Sequence, residues 1–73
     1  MPIRVFTALL HKENDMYVAK CPEVGTASQG YTVEEAVANL KEATELYMEE
    51  IGYECEEAVP GKTIVTSFEA VCA

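Results

Sequence analysis

The chain has 73 residues, thirteen acids against five bases for a net charge of −8, and an apolar fraction of nearly half. That length holds one small core and excludes a second, so residues 1–73 form a single domain on this reading. Phosphate-backbone binding needs Lys and Arg to displace counterions, so the acidic balance argues against nucleic acid as a direct partner.

No basic segment followed by an apolar run and a cleavage site opens the chain, and no apolar stretch approaches the ~20 residues that span a bilayer. The expectation is a soluble cytoplasmic protein with no membrane partner. A domain this small buries only about 60% of the surface its unfolded chain exposes, so association into a homodimer or higher homo-oligomer would help it. Cys21, Cys55 and Cys72 are odd in number and widely spaced. They predict reduced thiols rather than a disulfide framework or a zinc motif.

In chain order, residues 3–11, IRVFTALLH, are apolar at both alternating sets of positions. Ile3, Val5 and Leu9 fall on one side and Phe6, Ala8 and Leu10 on the other, which predicts a central strand covered on both faces. HKENDM follows as a polar loop, and MYVAKCPEV resumes the apolar pattern with Tyr17, Val18 and Ala19, completing a hairpin. Pro22 and Gly25 punctuate the chain, and TASQGY reads as a short edge strand ending at Gly30.

Thr32 and Glu35 make the T-x-x-E capping box, so a helix starts at Val33. Val33, Ala36, Val37, Leu40, Ala43, Thr44, Tyr47, Met48 and Ile51 recur at spacings of three and four and form its inner stripe. Gly52 supplies a left-handed stop. The opposite side carries Glu34, Glu35, Asn39, Lys41, Glu42, Glu45 and Glu49, with Leu46 standing among them. GYECEEAVPGK is a turn-rich connection, and TIVTSFEAV, residues 63–71, is β-branched and aromatic enough for a fourth strand.

The expected class is therefore α+β, in the order β-β-β-α-β. A right-handed crossover would place the last strand beside and parallel to the first, giving strand order 3-2-1-4 with one helix on one face. The other face, backed by a first strand apolar on both sides, is a candidate association surface.

Few residues suggest chemistry. His11 is the sole histidine, and no serine or cysteine stands at a spacing that predicts a nucleophile pair. Cys21 precedes Pro22 and Glu23, whose charge would raise rather than lower a thiol pKa, so it reads as a small, half-buried hydrophobe. Glu34, Glu35 and Glu69 could be imagined as magnesium ligands, but two-metal cleavage on a ribonuclease-H-like sheet needs an acid on the first strand. IRVFTALLH offers none, so no catalytic, cofactor or metal residue is assigned.

The outer helix acids fit a surface that steers a basic partner. Glu34, Glu35, Glu42, Glu45, Leu46 and Glu49 are the expected partner-binding residues. Taken singly, each of these acids is as well explained by solvation of a helix surface.

Residues 17–50 carry an aromatic-Val-Ala run leading into Cys21-Pro22-Glu23, then Ser28-Gln29-Gly30, Thr32, Glu34-Glu35-Ala36, Asn39 and Glu42-Ala43. This pattern covers nearly half of the chain and resembles the signature of the HicB-type antitoxins and their stand-alone relatives. The resemblance implies a partial ribonuclease-H-like fold without catalysis. It implies as well a partner, a HicA-type toxin: a small basic ribonuclease of double-stranded-RNA-binding fold whose active surface the protein covers.

The sequence departs from the family where Val24-Gly25 stands in place of a second Pro-Gly. It also stops at Ala73, before the C-terminal DNA-binding segment of full-length antitoxins, so direct operator binding is not expected. The alternative is an orphan dimeric module of the same fold that binds a small molecule or another protein. A short basic reading frame beside the gene would discriminate the two.

Overall fold

The computed structural model describes residues 4–52 and 63–72. Strands β1 (Leu9–Glu13), β2 (Met16–Cys21) and β3 (Thr26–Gly30) form an antiparallel sheet in the order β1-β2-β3, and helix α1 (Val33–Ile51) follows. The α+β class and the β-β-β-α order are those the sequence predicts.

The first hairpin is tighter than expected. Asn14 takes a φ of 55°, in the left-handed region that its short polar side chain tolerates, and Glu13 pairs directly with Met16. With only two residues in the turn, Lys12 and Glu13 belong to β1 rather than to a loop. The second connection, residues 22–25, turns through Gly25 at φ 83°, and the Gly25 N–H donates to the Cys21 carbonyl at 2.8 Å.

Leu10 lies opposite Ala19, and Ala19 opposite Ser28. Because side chains alternate along each strand, Phe6, Ala8, Leu10, Tyr17, Ala19 and Cys21 share one face. That face meets α1: Ala19, Cys21, Ala36 and Leu40 form the buried core, with Phe6, Ala8, Leu10, Tyr17 and Val24 packed against it. Cys21 is fully buried rather than half-buried.

The helix begins and ends where its signals stand. The Thr32 hydroxyl accepts from the Glu35 N–H at 3.0 Å, and the Glu35 carboxylate accepts from the Tyr31 N–H at 2.9 Å, one residue before the cap. Gly52 closes the helix at φ 69° and ψ 34°, its N–H donating to the Met48 carbonyl. Tiny Gly30 and Ala36 let the first turn of α1 lie directly on the end of β3.

Three expectations change. The central strand is β2, and β1 is an edge. Its ladder starts at Leu9 because β2 ends at Cys21 and the chain turns away, leaving residues 4–8 no strand to pair with on that side.

The expected fourth strand, residues 63–71, forms no ladder, and all of residues 63–72 are exposed. A strand exists only through its partner, and among the described residues none pairs with that segment, so the order seen is 3-2-1. The inner helical stripe is consequently only part-covered. Ala36, Leu40 and Thr44 are buried, whereas Val37 and Tyr47 on its flanks and Val33 and Ile51 at its two ends remain exposed. Ile3, Cys55 and the rest of the connection at 53–62 lie outside the described residues.

Candidate functional site: the outer face of the helix

Advancing about 100° per residue, Glu34, Glu35, Glu42, Glu45, Leu46 and Glu49 fall within an arc of roughly 120° on the side opposite the buried stripe. All six are exposed, and Leu46 retains 58% of its surface. The sequence-predicted face is thus a physical face, an acidic arc holding one aliphatic side chain.

Its members are not equivalent. Glu34 and Glu35 lie in the first turn, where the positive end of the helix dipole favours them, and Glu35 is occupied in the capping box. Glu42, Glu45 and Glu49 stand three and four residues apart, the spacing at which like charges repel along a helix. Lys41 offsets part of this through a 3.1 Å bridge to Glu45. Glu49 and Glu50 also lie in the last turn, which carries no base, against the negative end of the dipole. Asn39 turns away to the sheet, its side-chain amide donating to the Gln29 carbonyl at 2.8 Å.

Two polar arrangements escaped the sequence reading. Thr44, buried on the inner stripe, shares a 2.7 Å hydrogen bond with the Thr26 hydroxyl on β3. Glu23, in the turn after β2, accepts from the Thr7 N–H at 3.0 and 3.2 Å, from the Thr7 hydroxyl at 2.6 Å and from the Cys21 thiol at 3.4 Å. Burial works to raise the Glu23 pKa, but the hydrogen bonds from the Thr7 hydroxyl and N–H, with smaller ones from its own N–H and Cys21, hold it below the ordinary 4.5. The Thr7–Glu23 pair joins residues sixteen apart, and no spacing rule announces it.

Glu34, Glu35 and Glu69 are not brought together as a ligand group. Among the described residues no group of three His, Cys, Asp or Glu is placed to hold a metal ion. Glu13, by the tightening of the hairpin, does put an acid on the first strand. It stands at the exposed hairpin end, 2.9 Å from the ring of His11. Among the described residues no helix is long and apolar enough to cross a membrane.

An open groove of about 320 Å³ runs between residues 4–8 and α1, lined by Phe6, Ala8, Cys21, Val37, Leu40 and Met48 and bordered by Arg4, Lys41 and Glu45. It borders the segment leading into β1, a strand whose outer edge pairs with no other strand among the described residues.

A three-stranded antiparallel sheet, one helix across it and an acidic arc on the outside of that helix define a small α+β module. The chain belongs to the UPF0150 family: it is 45% identical over 62 residues to the UPF0150 protein ssr1765 of Synechocystis sp., a match covering 82% of this chain and 77% of that protein. No family model matches the chain, and no solved structure matches it significantly.

Proposed function

We propose that this protein is a non-catalytic, HicB-type antitoxin-like protein that binds and neutralises a small basic HicA-type toxin through the outer face of α1. The carrying observation is the placement of Glu42, Glu45 and Glu49 in one column, with a last turn that holds acids and no base.

A face needing only solvation is best served by mixed charges, because Glu–Lys pairs at i,i+4 stabilise a helix by ~0.2–0.5 kcal/mol and like pairs destabilise it similarly. Acids at the helix C-terminus each oppose the dipole by roughly 0.3–1 kcal/mol. A column compensated only at Glu45, by Lys41, is intelligible if the missing bases belong to a partner. Leu46 gives that partner an apolar contact inside the charged arc, which suits an interface better than charge alone.

The pattern across residues 17–50 supports the HicB reading in a particular way. Gly30, Thr32, Glu35, Ala36 and Asn39 close the helix onto β3, so the pattern identifies a way of folding. The outer acids carry the partner.

The test is reconstitution with the toxin encoded by a short basic reading frame beside the gene. The expected result is a stable complex in which RNA cleavage by the toxin stops, while the chain alone with magnesium leaves RNA intact. Failure to form a complex with that toxin at micromolar concentration would overturn the toxin reading, and RNA cleavage by the purified chain would overturn the non-catalytic one.

A further inference from the structure

We propose that the groove beside β1 is filled by residues 63–72 of a second copy of this chain, in a reciprocal strand exchange that makes the protein a homodimer. The groove touches the outer arc only at Glu45, and the inference does not rest on the toxin-binding reading, because the apolar lining it uses is Phe6, Ala8, Val37, Leu40 and Met48.

The donating segment is strand-like and unused. Residues 63–72, TIVTSFEAVC, contain no helix, turn or bend, and every one is exposed. Ile64 is 80% exposed, Phe68 89% and Val71 99%. A soluble chain does not hold such side chains in water without an occupant for them. At strand alternation Ile64, Thr66, Phe68 and Ala70 fall on one side, which carries the aromatic ring, and Val65, Ser67, Glu69 and Val71 fall on the other.

The accepting edge is equally incomplete. The Thr7 N–H points to Glu23, toward the β2 side. Backbone groups alternate along a strand, so those of Phe6, Ala8 and Leu10 point to the open edge beyond β1. The side chains of Phe6 and Ala8 form the floor of the groove, and Val37, Leu40 and Met48 of α1 form its wall. A strand laid on that edge with Ile64 and Phe68 inward would join the ladder and fill the groove at once.

The occupant is a second copy rather than the chain's own arm. The single chain leaves both halves open, with a radius of gyration of 14.3 Å against about 11 Å for a compact domain of this length. Exchange between two copies is isologous, so each gives one strand and takes one, and the assembly closes at two. Burying Phe68 and Ile64 removes on the order of 300 Å² of side-chain surface per arm. Two arms with the grooves they cover pass the ~1,000 Å² expected of a specific interface. The exchange also removes the exposed edge of β1, which would otherwise template aggregation.

The experiment uses the full chain. Light scattering after size exclusion should give twice the 8.0 kDa chain mass. In a sample mixed from isotope-labelled and unlabelled chains, isotope-filtered NMR should show contacts from the Phe68 ring to the Ala8 and Leu40 methyl groups between chains. Phe68→Asp should weaken dimerisation on the order of 100-fold while leaving the helical circular-dichroism signal, because Phe68 is 89% exposed in the single chain. A monomeric mass, Phe68 contacts arising within one chain, or a dimer lacking these contacts would each overturn the proposal.

Discussion

Gly30, at the end of β3, lies so close to Ala36 in the first turn of α1 that a Cβ built on it would stand 2.6 Å from the Ala36 backbone nitrogen. The obstructing atoms are backbone, together with Glu35, so they cannot swing aside. Helix and strand are therefore joined at a point where no side chain fits. Gly30→Ala should destabilise the fold by about 1–3 kcal/mol, the usual range for overpacking, as measured by denaturant unfolding. A variant as stable as the parent would mean that α1 can slide on the sheet at no cost.

Further along the same interface, the Thr26 and Thr44 hydroxyls satisfy one another at 2.7 Å. Removing one leaves the other without its partner beside the core, so Thr44→Val and Thr26→Val should each cost about 1–2 kcal/mol. The double variant should cost less than their sum, since two apolar groups of the same shape can pack together. A double-mutant cycle with a coupling energy near zero would show that the two hydroxyls act separately.

Glu23 gives the fold a pH dependence of defined sign. Its folded pKa lies below the ordinary 4.5, so its ionised form is the one that folding favours. The stabilisation is present above the unfolded value and is lost as pH falls through the folded value. Glu23→Ala should therefore lower stability at pH 7 by about 1–2 kcal/mol, through lost hydrogen bonds to a charged group, and the gap from the parent should shrink as pH drops below 4.5. An equal gap at acid and neutral pH would assign the effect to packing instead.

How much of this was legible depended on whether a feature is local. The T-x-x-E box, Gly52 and the three-four apolar spacing act within a few residues, and they set the helix bounds at Val33 and Ile51 correctly. The turn at Asn14 was legible as a turn but not in its length, because two central residues suffice once Asn14 enters the left-handed region. The strand at 63–71 had the right composition, but pairing is not a property of a segment. The apolar doubling of residues 3–11 predicts central burial, whereas its described part, residues 4–11, runs into an edge strand with an open groove beside it. The outer acids were found by periodicity alone, whereas Thr7–Glu23 and Thr26–Thr44 join positions sixteen and eighteen apart that only the folded chain brings together.

The acidic arc of α1 should behave as a surface kept for a partner at some cost to the helix. Glu49→Lys would pair with Glu45 in the favoured i,i+4 order and place a base in a last turn that now has none. It should raise stability by about 0.5–1 kcal/mol in thermal or denaturant unfolding. Glu42→Lys, Glu45→Lys and Glu49→Lys together should leave the fold intact, because all three side chains are exposed. Their effect on binding should be kinetic, since rim charges act mainly on encounter and salt screens them over ~8 Å at physiological ionic strength. Association with the HicA-type toxin should slow on the order of tenfold or more at low salt, and the dependence of its rate on ionic strength should flatten. Stopped-flow measurement across a salt series reads both quantities. If the triple variant associates at the parental rate with the parental salt slope, the column of acids is only solvated, and the toxin-binding surface must lie elsewhere on the molecule.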